Sequence, residues 1–232
     1  MKVKEALNAL NEAFPFELAE EWDNVGLLLG DPEWEVTGAV VALDASEEAL
    51  DCALASGANL LITHHPGLFR ARKRFAEVDA EAKLLCRMIR ESVAMIAAHT
   101  NYDNAPGGMN DQLAKTLGLE NVCMLENGLR MGEYSGKDLC EHVKNTLNTP
   151  VRAYGVPKAS RVAVCGGAGG EFWKVALAAG ADAFVTGEIR YHEALDAARA
   201  GLYVLEAGHA ATEEIGLDAI AQVIGENIAI FR

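Results

Sequence analysis

The sequence of 232 residues has no C-x-x-C pair, no long apolar run and a shortage of positive charge, and each lack excludes something. Its five cysteines (Cys52, Cys86, Cys123, Cys140 and Cys165) are odd in number and scattered. A structural zinc site built on cysteine is therefore excluded, and reduced thiols in the cytoplasm are expected. The longest apolar stretches, such as Gly38 to Leu43, fall far short of the ~20 residues a membrane-spanning helix needs. Met1-Lys2-Val3-Lys4-Glu5 opens an amphipathic helix and not the apolar core of a signal peptide. With 20 Lys and Arg against 34 Asp and Glu, the net charge is −14. Such a surface repels phosphate backbones unless one patch inverts the sign, so nucleic acid is a disfavoured partner. Half of the residues are hydrophobic and 23% are charged, which excludes disordered and collagen-like chains.

What is present is an alternation of strand and helix patterns. An apolar stripe from Val3 to Phe14 predicts a helix that Pro15 ends. A buried strand is expected over Val36 to Leu43, followed by a helix capped by Ser46 and running through Ala55, then a strand over Asn59 to Thr63. A helix over Asp79 to Arg90, a strand over Val93 to Ala98 and a helix over Met109 to Leu117 complete the first half. After a loop around Glu126-Asn127-Gly128, Ser135 caps a helix to about Leu147, and Val151 to Tyr154 is extended. Strands over Arg161 to Cys165, Asp182 to Thr186, Leu202 to Glu206 and Ile228 to Phe231 alternate with helices over Glu171 to Ala179, Tyr191 to Ala200 and Thr212 to Ile224. Such alternation implies an α/β fold with largely parallel or mixed sheets and helices outside.

The two halves repeat. Ala53-Leu54-Ala55-Ser56-Gly57-Ala58-Asn59-Leu60-Leu61-Ile62-Thr63 aligns with Ala176-Leu177-Ala178-Ala179-Gly180-Ala181-Asp182-Ala183-Phe184-Val185-Thr186, identical at six of eleven positions. One strand later, His99 and Asp103 align with His209 and Glu213. Two matches in the same order imply duplication, hence two structurally related, intertwined α/β lobes, 1–125 and 126–232.

Four of the six histidines follow strand C-termini, the edge where α/β sheets assemble ligand sites. Thr63-His64-His65-Pro66 is the first cluster, His99-Thr100-Asn101-Tyr102-Asp103 the second and Gly208-His209-Ala210-Ala211-Thr212-Glu213 the third. A helix starting near Ala210 would set His209 and Glu213 four apart on one face. Imidazoles and carboxylates without thiolates suit Zn, Fe, Mn, Co or Ni and are too rich in nitrogen for a dedicated Ca or Mg site. Five ligands exceed what one catalytic ion usually takes, so two ions about 3.5–4 Å apart with a bridging carboxylate use them economically. His99 is read as orienting Asp103 or a ligand, and His142 as an ordinary structural histidine. Gly187-Glu188 stands where the first half has His64-His65, so one metal pair per chain is expected, not two.

Together with Glu21-Trp22-Asp23-Asn24-Val25-Gly26-Leu27 and with Thr186-Gly187-Glu188 plus His192, these blocks resemble the GTP cyclohydrolase I type 2 family, also called NGG-interacting-factor-three-like dinuclear metal-centre proteins. The resemblance covers essentially the whole chain. It implies a homohexameric ring, with no third domain inserted between the halves. It also implies that His64 and Asp103 bind one metal, that His65 and His209 bind the other, and that Glu213 bridges both. The activity it implies is water attack on the guanine imidazole ring of GTP with loss of formate. A phosphoesterase or nuclease, or a ring that binds metal without catalysis, are the alternatives. His192 joins Glu213 as a candidate catalytic residue because general acid–base work needs a group tunable near neutral pH; the alternative is a solvated imidazole beside a capping Glu188. The run Arg70-Ala71-Arg72-Lys73-Arg74 either recruits phosphate to the metals or is a solvated loop. Gly166-Gly167-Ala168-Gly169-Gly170 departs from G-x-G-x-x-G at Phe172 and reads as a tight turn. Trp22-Asp23-Asn24 could line the site, but Trp22 is expected to be buried, anchoring the first helix, and not catalytic.

Overall fold

In the computed structural model, which describes residues 1–225 and 227–232, the chain divides into two compact units. Met1–Ala105 and Leu217–Arg232 form the first, and Pro106–Gly216 the second. The first unit begins with α1 (Val3–Ala13), β1 (Gly26–Leu29), β2 (Ala39–Ala42), α2 (Glu47–Ala55), β3 (Leu60–Thr63), α3 (Ala80–Glu91), β4 (Ala94–Ala97) and α4 (Thr100–Asn104). The second unit follows with α5 (Met109–Thr116), β5 (Glu120–Met124), β6 (Arg130–Glu133), α6 (Leu139–Thr146), β7 (Arg152–Tyr154) and β8 (Arg161–Cys165). It continues through α7 (Trp173–Ala178), β9 (Ala183–Thr186), α8 (Tyr191–Arg199), β10 (Tyr203–Glu206) and α9 (His209–Glu213). The chain then returns to the first unit as α10 (Leu217–Ile224) and β11 (Ile228–Phe231).

The first unit's sheet has the order β1-β4-β3-β2-β11 and is parallel except for β1. Every residue of β2, β3 and β4 is buried, as expected of parallel strands covered on both faces. Val40, Leu61 and Met95 on one face pack against Leu50 and Ala53 of α2 and Leu85 and Met88 of α3. Ser46 and Asp79 cap these two helices, accepting from the Ala49 and Ala82 amides.

The second unit's sheet runs β5-β6-β8-β9-β10-β7, with β8, β9 and β10 parallel. Its strands show two-residue alternation: Val162, Val164, Val185 and Leu205 meet Leu113 of α5 and Val143 of α6, whereas Ala163, Phe184 and Val204 meet Ala176 of α7 and Ala194 of α8. The sequence repeat is thus a repeat of structure, with α2–β3 and α7–β9 each feeding the middle strand of a parallel trio.

In both trios the strands end level. Ala42 pairs with Thr63 and Thr63 with Ala97, and Cys165 pairs with Thr186 and Thr186 with Glu206. Segments leaving the strands therefore lie side by side. The His64 amide donates to the Ala42 carbonyl, His65 to Leu43 and Ala98 to Thr63. In the second unit Glu188 donates to Gly167, Ala207 to Thr186 and Gly208 to Gly187.

The expected boundary at 125/126 moves to 105/106 and 216/217, because β11 pairs in parallel with β2 and so belongs to the first unit. The helix expected over Thr212 to Ile224 is broken at that second boundary into α9, a 3-10 turn over Glu214–Gly216 and α10. Asp138, not Ser135, caps α6, accepting from the Glu141 amide at 3.1 Å. The loop expected around Glu126-Asn127-Gly128 joins β5 to β6, with Asn127 and Gly128 at φ 55° and 69°. Residues of β5 are all exposed and do not alternate, so periodicity gave no sign of a strand there. Trp22 is 60% exposed; Phe14, packed on Tyr102 at 4.5 Å between ring centroids, anchors the end of α1 in its place. All five cysteines are free thiols. Among the described residues no helix is long and apolar enough to cross a membrane.

Arg130 on β6 is buried and meets Asp111 of α5 in a two-pronged pair, with N–O distances of 2.8 and 2.9 Å. Removing the carboxylate strands a buried cation. Asp111→Ala should lower unfolding stability by roughly 3 kcal/mol, the lower end of the usual range because Asp111 itself is partly exposed. Urea unfolding of both proteins checks this.

Candidate metal centre

The level strand ends of the first unit bring His64, His65 and His99 together. After Thr63 the chain bends, and the Thr63 hydroxyl donates to the His65 carbonyl at 2.7 Å. The divergence expected of neighbouring side chains on a strand is thereby relaxed: the two rings lie 5.0 Å apart, with His99 at 5.1 Å from His64 and 5.5 Å from His65. One nitrogen from each of the three falls within 4.8 Å of the others. Asp103 on α4 reaches the same group, its Oδ1 3.7 Å from His64 Nε2. His99 is thus one of three histidines that could hold an ion together, where an orienting role is the expectation.

Each ring is aimed by its other nitrogen. His64 Nδ1 bonds to the Ala98 carbonyl at 2.9 Å, His65 Nδ1 to Asp44 Oδ1 at 2.8 Å and His99 Nδ1 to Asp23 Oδ1 at 2.9 Å. A carbonyl or carboxylate oxygen accepts, so Nδ1 carries the hydrogen and the lone pair of a neutral ring then lies on Nε2. The side chain of Asp23 is fully buried and also accepts from the Thr100 amide and hydroxyl. Burial raises its carboxyl, but the hydrogen bonds from His99 and Thr100 together outweigh that and lower it to about 2.

In the second unit, α9 sets His209 Nε2 3.1 Å from Glu213 Oε2, the i, i+4 pairing expected. His209 Nδ1 meets Glu188 Oε1 at 3.1 Å. Glu188 therefore aims an imidazole, where capping of α8 was the alternative reading.

Glu213 is nearly buried against the glycine loop. Gly167 sits at φ +57°, and a Cβ there would lie 2.1 Å from Glu213 Oε1. A Cβ on Gly187 would lie 2.5 Å from the Gly167 carbonyl. Three of the loop's amides are already engaged: Gly166 donates to Asn110 Oδ1, Gly167 to Thr212 Oγ1 and Gly170 to the Glu188 carbonyl. It is the tight turn expected, and it serves as a cradle for the carboxylate. Composition alone did not reveal that role.

His192 stands exposed at the second position of α8 and joins none of these clusters. His142 bonds the Leu117 carbonyl through Nε2, an ordinary structural contact. Trp22 and Phe69 lie on the exposed side of His99, at 6.1 and 6.3 Å between ring centroids.

Imidazole nitrogens and carboxylate oxygens at the strand ends of a duplicated α/β fold define a protein whose side chains could hold a divalent transition-metal ion. Residues 1–231 match the Duf34/NIF3 (NGG1p interacting factor 3) family, and the chain belongs to it. A "GTP cyclohydrolase 1 type 2 homolog" of Lactococcus lactis is 34% identical over 223 residues, covering 90% of this chain and 86% of the relative. One of the same name from Streptomyces coelicolor is 34% identical over 234 residues, covering 91% and 81%. Among solved structures, Staphylococcus aureus hypothetical protein SA1388 superposes with a TM-score of 0.91 at 27% identity, covering 100% of this chain and 96% of that one. Reduced HcgD from Methanocaldococcus jannaschii gives 0.88 at 30% identity, covering 99% and 96%.

Two predictions follow from the anchoring contacts. Gly167→Ala should displace the Glu213 carboxylate and weaken uptake of divalent metal in a chelator-competition titration. Gly57→Ala, at φ +71° with nothing within 4 Å, carries a similar backbone strain and should leave uptake unchanged. Asp23 is lowered from its ordinary 3.8 to about 2 in the folded chain, so its charge stabilises the fold fully above pH 3.8 and ever less as pH falls toward 2. The stability advantage of the wild type over Asp23→Asn should therefore shrink through that window in urea unfolding at stepped pH.

Proposed function

We propose that His64, His65 and Asp103 from the first unit and His209 and Glu213 from the second supply one dinuclear metal centre, and that the protein is a metal-dependent hydrolase. The observation that carries this is the common aim of the imidazoles: His64, His65 and His209 each engage Nδ1 with a fixed oxygen, while Nε2 of His64 and of His209 faces the carboxylate of Asp103 and of Glu213 at 3.7 and 3.1 Å. On the family pattern, His64 and Asp103 serve one ion, His65 and His209 the other, and Glu213 both. Divalent ions held there would supply Lewis acidity, making water a better nucleophile near neutral pH and neutralising charge on the attacked group.

The chain's own part is to hold these donors rigid. Glu213 is pressed into its glycine cradle with little room to swing, and His99, fixed by Asp23, offers a further nitrogen on the first unit's side. His192 was a candidate acid–base group, but its exposed place on α8 lends that role no support, and the proposal does not need it. The name borne by the relatives suggests hydrolytic opening of the guanine imidazole ring of GTP with release of formate. A homohexameric ring in the cytoplasm belongs to the same reading.

The test combines metal content with product analysis. Purified protein should hold about two ions per chain and release formate from GTP. Release of phosphate in its place would favour a phosphoesterase. Glu213→Gln should abolish turnover, and Glu188→Ala should weaken metal affinity roughly 10- to 100-fold by freeing the His209 ring. Full occupancy and an unchanged rate in Glu213→Gln would overturn the assignment.

A further inference from the structure

Burying a large aromatic side chain is worth a few kcal/mol, so two exposed ones held side by side point to a ligand that covers them. Trp22 is 60% exposed and Phe69 43%, with ring centroids 5.8 Å apart and planes inclined at 58°. They are not loose. The side chain of Asp23, next to Trp22, is buried and bonded to His99 and Thr100, and Asn24 Nδ2 donates at 2.5 Å to the carbonyl of Leu68, next to Phe69. The two loops are thereby stitched to each other and to His99, whose ring both aromatics flank.

Beyond Phe69 lies the basic run. Arg72 is tied to Asp79 and Glu81, but Arg70, Lys73 and Arg74 are exposed, with no carboxylate within 4 Å among the described residues. The run lines a cavity of about 520 Å³. In a chain of net charge −14, such a local positive spot selects an anion.

We infer that Trp22 and Phe69 form a stacking subsite for a planar heteroaromatic ring on a small anionic molecule, whose acidic group is drawn to Arg70, Lys73 and Arg74. What is done to that ring rests on the hydrolase reading; its binding does not. Two rings are far less than the ~800 Å² per partner that a stable protein interface buries, which argues against a second copy as the occupant. The acidic surface argues against a long polyanion.

The experiment is calorimetric titration of the full chain with GTP, guanosine and inorganic tripolyphosphate, alongside elemental analysis and sedimentation. Trp22→Ala and Phe69→Ala should each weaken guanosine and GTP about tenfold, the usual scale for one lost stacking partner. Tripolyphosphate affinity, metal content and oligomeric state should not change, and Trp22→Phe should keep most of the affinity. Wild-type protein that binds guanosine in a Trp22-dependent way yet holds no metal would leave the subsite standing while the metal reading falls. Unchanged guanosine affinity in both alanine variants would overturn the subsite, as would wild-type protein that binds tripolyphosphate but not guanosine. A change of oligomeric state in Trp22→Ala would assign the rings to a contact between copies, and tighter Trp22-dependent binding of a single-stranded oligonucleotide than of GTP would assign them to a polymer; either result overturns the proposal.

Discussion

The candidate centre depends on the hydrogen bonds that hold the far side of each imidazole. A free histidine ring has two tautomers and turns about two bonds, so a cluster of such rings has many arrangements and few that bind. Here Ala98, Asp44, Asp23 and Glu188 each present an acceptor to one Nδ1, which fixes tautomer and ring direction together. Three of the four acceptors are carboxylates, which also make the ring they hold more basic and so a better donor toward a cation. An acidic chain can supply these anchors without exhausting its surface charge. Part of the net charge of −14 is therefore organised around the donors.

Those anchors can act only because the strands end level. Pairing of Ala42 with Thr63 and of Thr63 with Ala97 fixes the height at which Asp44, His64, His65 and His99 leave the sheet. A slip of one residue would turn His64 to the opposite face and break its bond to Ala98. The register is in turn held by strands buried along their whole length, so the core sets the donors as directly as the loops do. The second unit repeats the device with Cys165, Thr186 and Glu206.

The candidate donors are legible in the sequence because the histidines among them follow apolar runs that read as buried strands, and because His-x-x-x-acid recurs after the repeat. Their anchors are not. Asp23, Asp44 and Glu188 lie 21 to 76 residues from the rings they hold, and one acidic residue among 34 carries no mark of its partner. The glycine loop was legible as a turn, but not as a cradle, because what a Cβ would strike comes from α9. Trp22 departs from expectation for a related reason: hydrophobicity argues for burial, and only the bonds of Asp23 and Asn24 explain why its loop is pinned with the ring outside. The helix expected to run unbroken past Gly216 hid the return of α10 and β11 to the first sheet, because an apolar stripe continues across a break between packed elements.

Duplication also explains why the two halves differ. Each copy ends its third parallel strand with a histidine followed four residues later by an acid: His99 and Asp103, His209 and Glu213. At the end of the middle strand the copies diverge. The first has two imidazoles, His64 and His65, where the second has Gly187 and Glu188. The glycine makes room, since a side chain there would strike the Gly167 carbonyl and the His209 backbone. The glutamate takes the place of a donor and becomes the anchor of His209. The first copy thus carries imidazoles at this strand end and takes anchors from Asp23 and Asp44, while the second carries an anchor there. A histidine in place of Glu188 would leave no carboxylate at that strand end to orient His209.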